Sequence, residues 1–158
     1  MAQQLWLLRH GEAVPRDSKP DAERELTARG ERQGAAAGAA LARLGVEFTA
    51  IYTSPKVRAL ATAKLAAQAL NVDPVVEEVL ADGFEAGDAL ELLGRHDADA
   101  RVLVVGHNPS FAQVVFDLTG GRIDFKKGAV AAIRLQGREG ELIVLLRPRE
   151  LESIELTD

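Results

Sequence analysis

The chain has 158 residues, of which 47% are hydrophobic and 27% charged, and its 19 Lys and Arg against 24 Asp and Glu give a formal net charge of -5. This length predicts one domain spanning residues 1–158. The acidic balance argues against binding nucleic acid or an anionic membrane through bulk electrostatics. The absence of cysteine excludes disulfides, thiolate metal sites and every mechanism that needs a cysteine nucleophile.

The sequence carries no recognisable membrane or export segment. No apolar run approaches the roughly 20 residues that a membrane span requires. The N-terminus has apolar residues but no basic region ahead of them, so it does not resemble a signal peptide. We therefore expect a cytoplasmic protein that does not associate with a membrane.

The first half of the chain alternates predicted strands and helices. An apolar run at 5–8 predicts a buried strand that ends at Arg9-His10-Gly11, and the polar residues 12–25 predict an exposed loop. Thr27 is the expected N-cap of an alanine-rich helix to about Leu44, in which Gly34 and Gly38 are spaced for close packing. A second strand is predicted at 50–53.

Ser54 and Pro55 predict the next helix, with Ser54 as its N-cap and Pro55 in its first turn, running to about Leu70. The segments that follow are predicted to be a short edge strand, an acidic loop, a short helix and a strongly apolar strand, at 74–76, 77–88, 89–95 and 102–105. Asn108 and Pro109 repeat the cap-and-proline pattern and predict a helix to about Leu118.

Two paired strands are predicted at 129–135 and 141–146, joined across Gly137 and Gly140. The polar tail after Pro148 is expected to be peripheral. Strands that alternate with helices predict an α/β fold, a three-layer sandwich whose mostly parallel central sheet has helices on both faces. Ligands of such sheets bind beyond the carboxyl ends of the strands.

Three predicted strand ends carry polar residues that a buried strand would not otherwise need. Arg9 and His10 follow the first strand, Ser54 and Arg58 follow the second, and His107 follows the strand at 102–105. If these strands are neighbours, the five side chains converge. The sequence therefore predicts a site at this edge of the sheet.

Two arginines and two histidines suit the transfer of a phosphoryl group, which carries negative charge on three equatorial oxygens. Arg9 and Arg58 would hold these oxygens, because arginine presents a planar fork of donors and stays charged. A neutral His10 would attack phosphorus without metal or cofactor and form a phosphohistidine. His107, if protonated, would donate to an equatorial oxygen, so the two histidines would differ in protonation. Ser54 is expected to be a helix cap first and a phosphate contact second.

At these residues the chain resembles the histidine phosphatase superfamily, which includes phosphoglycerate mutases and acid phosphatases. Four segments carry the resemblance: Leu8-Arg9-His10-Gly11-Glu12, Leu26-Thr27-Ala28-Arg29-Gly30, Thr53-Ser54-Pro55-Lys56-Val57-Arg58-Ala59 with Thr62-Ala63, and Val105-Gly106-His107-Asn108-Pro109. The small size, Glu12 and the His-Asn-Pro segment make the chain most similar to SixA-like phosphohistidine phosphatases. The resemblance implies a phosphoglycerate mutase-like fold, His10 as nucleophile, and Arg9, Arg58 and His107 as ligands of the phosphoryl group.

The resemblance also implies a carboxylic acid that protonates the leaving oxygen, and here the match fades. Glu77, Glu78, Asp82 and Glu85 lie in the acidic loop, and Asp82 falls closest to the expected place. A positioned general acid is typically worth about 10²- to 10⁴-fold in rate. The imidazole that leaves phosphohistidine can be protonated from solvent, so a weak or missing acid disfavours alkyl phosphate esters more than it disfavours phosphohistidine.

Several alternatives stay open at this point. The chain could hydrolyse small phosphate esters broadly, return the phosphoryl group as a mutase, or bind a phosphorylated ligand without turnover. A metal hydrolase with His10 and His107 as ligands is disfavoured, because no carboxylate stands in ligand spacing with either. His96 is expected to be an exposed loop residue. The expected partner is a phosphorylated protein, by family analogy a histidine phosphotransfer domain or phosphocarrier, or else a small phosphorylated molecule.

Overall fold

The structure, a computed structural model, describes residues 2–156, in which five α-helices alternate with six strands. In chain order the elements are β1 (Gln3–Arg9), α1 (Ala28–Arg43), β2 (Ala50–Thr53), α2 (Val57–Leu70), β3 (Pro74–Val76), α3 (Ala86–Leu93), β4 (Arg101–Gly106), α4 (Ser110–Thr119), β5 (Val130–Gln136), β6 (Glu139–Leu146) and α5 (Pro148–Glu155). Two short 3-10 helices, Asp21–Glu23 and Glu78–Leu80, interrupt the connecting loops.

All six strands form a single sheet in the order β3-β2-β4-β1-β5-β6. Strands β1 to β4 are parallel to one another, whereas β5 pairs antiparallel with both β1 and β6. The carboxyl ends of β1, β2 and β4 therefore lie side by side at one edge, and the start of β5 lies at that same edge. The predicted mostly parallel sheet is confirmed.

The sheet separates two apolar cores, because its central strands are buried on both faces. In β1, Leu5 and Leu7 face the core beneath α3 and α4, whereas Trp6 and Leu8 face the core beneath α1, α2 and α5. A strand buried on both faces needs a continuous apolar run rather than an alternating one. This requirement explains the sequences of β1 and β4, and the predicted three-layer sandwich is confirmed.

Helices α1 and α2 approach each other through two of the three glycines of α1, Gly34 and Gly38. A Cβ atom added at Gly38 would lie 2.3 Å from the carbonyl oxygen of Ala66, and one at Gly34 would lie 3.3 Å from the Cα of Thr62. The expectation of close packing at Gly34 and Gly38 is therefore correct. The contact brings α2 close enough for Thr62 to reach the carboxyl end of β1, where its hydroxyl accepts a hydrogen bond from the Gly11 amide at 3.1 Å.

Two predicted helix starts lie before the observed ones, by two residues for α2 and by one for α4. Helix α2 begins at Val57 because the Ser54 amide still donates to Val105 of β4 at 3.0 Å and so continues the sheet. The Ser54 hydroxyl accepts from the Lys56 amide, which caps a turn instead of the helix. Helix α4 begins at Ser110 after a cis Asn108-Pro109 peptide, and the Asn108 side chain accepts from the Ala112 amide within it.

The acidic loop and the C-terminal tail are also more ordered than predicted. Helix α3 begins at Ala86 rather than Ala89, because Glu85 and Asp88 form a capping box at its start. The segment predicted as a peripheral tail is helix α5, whose fully buried Leu151 joins the core beneath α1 with Ile154 packed against it. These two residues, three apart, share one helix face. None of the helices in residues 2–156 has the length and apolar character of a membrane span.

Candidate active site

The polar residues of the three strand ends come together as expected. Arg9 and His10 end β1, Ser54 and Arg58 follow β2, and His107 follows β4, and these strands are consecutive in the sheet. The His10 amide donates to the Gly106 carbonyl at 3.1 Å, which ties β1 to β4 at the site. The imidazole rings of His10 and His107 lie 5.3 Å apart between centroids.

The tautomer of His10 follows from one contact. Its Nδ1 lies 2.7 Å from the Gly11 carbonyl oxygen, which can only accept a hydrogen bond, so Nδ1 carries the proton. Burial lowers the pKa of His10 to about 3; the bond to Gly11 opposes this shift, and the charges of His107, Arg58 and Arg9 reinforce it. His10 is therefore neutral near pH 7, with the lone pair of Nε2 available.

The backbone beside His10 is held by close packing. A Cβ atom at Gly11 would lie 2.5 Å from the Gly30 carbonyl oxygen, and one at Gly30 would lie 2.0 Å from that of Glu12. Both positions therefore require glycine, because a side chain would displace backbone that cannot yield. The Arg-His-Gly segment is thus pressed against the first turn of α1.

Arg58 is anchored from the loop between β1 and α1. Its Nε lies 3.4 Å from the Nε2 of His10, its NH1 donates to the Asp21 carbonyl at 2.7 Å, and its NH2 lies 3.3 Å from the Asp21 carboxylate. Lys56 and Arg24 bind the same carboxylate. Burial acts to raise the pKa of Asp21, but the bonds from Lys56 and Arg24 outweigh it and hold this pKa below its usual range. Asp21 is a carboxylate that orients three cations.

Arg9 retains an unused donor. Its NH1 donates to the Phe125 carbonyl at 2.7 Å, while its buried Nε has no hydrogen-bond partner among residues 2–156. Burial lowers the pKa of Arg9, yet an arginine stays charged at any working pH. A buried donor without a partner is costly, and an oxyanion next to it would remove that cost.

His107 and Ser54 form a pair across the strand ends. The Nε2 of His107 lies 2.8 Å from the Ser54 hydroxyl, and its buried Nδ1 has no partner within the described chain. Burial, followed by the charges of Arg58 and Lys56, lowers the pKa of His107 to about 4. These lowered pKa values favour neutral rings while no anion is bound, and the difference in protonation expected with a phosphoryl group in place stays a prediction. A bound phosphoryl dianion would favour the protonated ring.

Asp82 lies on the rim of the site and faces a cation. Its side chain is 83% exposed, and its carboxylate lies 2.8 Å from the Nζ of Lys56. The hydrogen bond and charge of Lys56 lower the pKa of Asp82. Of the other carboxylates considered, Glu77 pairs with Arg95 and Glu85 caps α3. A general acid has to hold a proton, and this pairing favours the ionised form.

The cavity in front of His10 has a volume of about 160 Å³. That is about five times the ~30 Å³ that a water molecule occupies in the liquid, so it admits a phosphoryl group and little more. Five cations and no carboxylate are among its lining residues: Arg9, Arg16, Arg24, Arg58 and Lys127. These lining residues therefore favour a small anion.

Sequence reasoning missed four residues of the site, namely Arg16, Asp21, Arg24 and Lys127. The first three lie in a loop without periodicity, which the Ala13–Leu26 bridge folds back onto the strand ends. Lys127 precedes β5, and only the antiparallel pairing of β5 with β1 brings it to His10. His96, expected to be an exposed loop residue, is half-buried, with its Nε2 2.8 Å from the Tyr52 hydroxyl.

The site residues do not form a metal centre. Across residues 2–156, no group of three or more His, Asp or Glu side chains is arranged to hold a metal ion. The cations around His10 and His107 would repel one. The donor set therefore fits an anion and not a divalent cation.

Comparison with known proteins agrees with this geometry. The family model of the histidine phosphatase superfamily (branch 1) matches residues 5–87. An uncharacterized protein of Picosynechococcus sp. is 35% identical, over 94% of this chain and 98% of its own. The protein histidine phosphatase SixA, in its structure complexed with tungstate, has 27% sequence identity to this chain. The two structures superimpose with a TM-score of 0.83, over 94% of this chain and 99% of that chain.

The alpha-ribazole phosphatase of Shigella flexneri shares the fold at 20% identity, with a TM-score of 0.74 over 92% of this chain and 96% of that chain. The matched family segment contains Arg9, His10, Ser54 and Arg58. Because the family model matches more than half of the chain, the chain belongs to the histidine phosphatase superfamily.

Proposed function

We propose that this phosphatase hydrolyses phosphohistidine on a protein, through a phosphoenzyme formed on His10 and without a metal or cofactor. The observation that carries the proposal is the state of His10. Its Nδ1 proton is held by the Gly11 carbonyl, and its pKa of about 3 leaves the ring neutral, so Nε2 can attack. The small cavity in front of it is lined by cations.

In the first step, Nε2 of His10 bonds to phosphorus while the P–N bond of the substrate breaks. The departing imidazole takes a proton from solvent. The three equatorial oxygens are held by Arg9, Arg58 and His107. The Nε of Arg9 and the Nδ1 of His107, which have no partner among the described residues, are free to bind them. Ser54 supports His107 through the 2.8 Å contact. The in-line arrangement needs no cation other than these side chains.

In the second step, water attacks phosphorus and breaks its bond to Nε2 of His10. The proton of the attacking water passes to the released phosphate, and His10 returns to the neutral tautomer. Nδ1 keeps its proton in both steps, because the Gly11 carbonyl offers no site to receive it. The net reaction consumes one water and releases inorganic phosphate and the substrate protein with its histidine side chain unphosphorylated.

Phosphohistidine fits the site better than an alkyl phosphate because of Asp82. That carboxylate is exposed and bound to Lys56, which favours its ionised form and so works against a role as general acid. An alkoxide leaving group needs such an acid, whereas imidazole accepts a proton from water. The likeness to SixA, described as a protein histidine phosphatase, supports the same substrate class. We accordingly propose a histidine phosphotransfer domain or phosphocarrier as partner.

The test compares two substrates in the presence of a chelator. Phosphate release is measured from a phosphohistidine-bearing phosphotransfer domain and from a generic aryl phosphate, with the native protein, His10→Ala and the control His96→Ala. We expect rapid release from phosphohistidine, slow ester cleavage, no turnover by His10→Ala and full turnover by His96→Ala, since His96 contacts Tyr52 away from the cavity.

The other outcomes each select a different function. Faster ester cleavage would replace the proposal by a phosphatase of small phosphate esters. Release from neither substrate would favour a module that binds phosphorylated ligands without turnover. A fully active His10→Ala protein would end the proposed mechanism.

A further inference from the structure

A second, larger cavity adjoins the His10 cavity and shares Arg9 and Lys127 with it. Its volume is about 520 Å³, and six cations are among its lining residues: Arg9, Arg29, Lys126, Lys127, Arg147 and Arg149. Only Glu12 and Asp124 oppose them from within the lining. We call this surface the basic groove. It is a local concentration of positive charge on a chain whose net charge is -5.

Three elements build the basic groove around the end of β1. Arg29 lies in the first turn of α1, Lys126 and Lys127 lie in the turn before β5, and Arg147 and Arg149 lie at the start of α5. The turn before β5 is fixed to the end of β1, because the Gly128 amide donates to the carbonyls of Arg9 and His10 at 3.0 and 2.9 Å. Lys127 is thereby held between the groove and the nucleophile.

The cations of the groove remain accessible to a partner. The side chains of Arg29, Lys126, Arg147 and Arg149 are between 54% and 80% exposed. Lys126 pairs with Asp124 at 2.8 Å and Arg147 with Glu150 at 2.7 Å, whereas Lys127 has no ion pair with another described residue. Exposed pairs of this kind contribute little and exchange readily. Their cations can therefore bind carboxylates of another molecule.

The charge on the other side of His10 is different. Asp82, with its side chain 83% exposed, follows β3, which lies on the opposite side of β1 from β5 in the sheet. Because Lys56 already pairs with Asp82, that rim offers an acidic segment little attraction, whereas the basic groove would attract it.

We propose that the basic groove docks the phosphorylated polypeptide substrate by binding a carboxylate-rich segment next to its phosphohistidine. This inference rests on the proposed function. The His10 cavity of about 160 Å³ admits the phosphoryl group alone, so the rest of the substrate has to lie outside it, and the groove is the adjoining surface. Its cations are spread over three elements on exposed side chains, which suits several separate carboxylates better than one compact anion.

The test uses two phosphohistidine peptides of equal length, one with four Asp or Glu residues beside the phosphohistidine and one with four Ser or Gln residues there. The kcat/KM of each is measured for the native protein and for Arg29→Glu/Arg149→Glu. Arg43→Glu/Arg138→Glu is the matched control, since it changes the net charge equally at exposed positions at the far ends of α1 and β5.

We expect the native protein to favour the acidic peptide by about tenfold at low ionic strength and by less as salt screens the charges. In Arg29→Glu/Arg149→Glu this preference should disappear or reverse, and the control should keep it. Because the ratio compares two substrates of one protein, damage to the fold cancels. Equal rates for the two peptides with the native protein, or a preference that survives in Arg29→Glu/Arg149→Glu, would overturn the inference.

A binding measurement separates failure of the groove from failure of the proposed function. Neither peptide would be hydrolysed if phosphohistidine is not the substrate. The fluorescence anisotropy of the acidic peptide without its phosphoryl group then reports on the groove alone. Binding that is lost in Arg29→Glu/Arg149→Glu and kept in the control supports the groove, and equal binding by all three proteins overturns it.

Discussion

The Nε of Arg58 lies 3.4 Å from the Nε2 of His10, so the guanidinium faces the lone pair that has to attack phosphorus. This contact is long and weak for a hydrogen bond, whereas the bond from Arg58 NH1 to the Asp21 carbonyl is 2.7 Å. A phosphoryl group can thus draw Arg58 Nε away from His10 while Asp21 keeps the guanidinium in place. Arg58 Nε can therefore change its partner from His10 Nε2 to a substrate oxygen with little movement of the side chain.

Asp21→Asn should lower kcat/KM for phosphohistidine about tenfold, because it removes the charge that orients Arg58. Asp17→Asn, an exposed change in the same loop, should have no effect. In an Arg58→Ala background, which is itself expected to lose several orders of magnitude, Asp21→Asn should add little. Additive losses in this double-mutant cycle would show that Asp21 acts on the fold and not through Arg58.

The free energy of unfolding should decrease by about 3 kcal/mol as the pH is lowered from about 7 to about 5. The folded-state pKa values of His10 and His107, about 3 and about 4, lie below the unfolded value near 6.5. The unfolded chain therefore binds more protons in this window, so stability is full above about pH 6.5 and is lost as the pH drops toward the folded values. The lowered pKa of Asp21 acts only at lower pH.

Urea unfolding in phosphate-free buffer checks this dependence, since bound phosphate would stabilise the protonated rings and the fold. The variant His10→Asn/His107→Asn should have a flatter profile, and His96→Asn should keep the native slope. The NMR chemical shifts of the imidazole carbons, followed as a function of pH, report the pKa values of the two rings directly. Rings of His10 and His107 that protonate near pH 6.5 would contradict the predicted neutral site.

Asp82→Asn should change phosphohistidine turnover by less than about threefold, because its carboxylate is ionised, exposed and bound to Lys56. The matched control is Asp73→Asn, in the loop before β3. Steady-state rates on phosphohistidine and on an alkyl phosphate check the prediction. A loss of about 10²-fold or more on phosphohistidine would identify Asp82 as the general acid after all.

Gly38→Ala should destabilise the fold by about 2 kcal/mol or more, because its Cβ would lie 2.3 Å from the Ala66 carbonyl oxygen and force α1 from α2. Gly87→Ala is the control, since it adds the same methyl group within α3 with nothing within 4 Å. That change should stabilise the protein by about 0.5 to 1 kcal/mol through helix propensity. Chemical denaturation of both variants checks the pair, and similar effects at the two positions would rule out the close contact.

The sequence by itself predicted a sheet with helices on both of its faces, and it placed Arg9, His10 and His107 at the ends of strands. Their convergence required the strand order β2-β4-β1, which the tertiary structure decided. Apolar runs such as that of β1 mark strands buried on both faces, and parallel strands present their carboxyl ends at one edge. Any side chain directly after such a strand is therefore placed by local sequence alone. Glycine spacing in α1 likewise predicted its close contact with α2.

Only the tertiary structure decided which partners orient these residues. Asp21 stands 37 residues from Arg58, in a loop whose polar sequence has no period, and Lys127 reaches His10 only because β5 runs antiparallel to β1. The protonation of His10 and His107 depends on burial and on charges supplied by distant segments. Such properties come from contacts between residues far apart in the chain, and a local pattern carries no information about them.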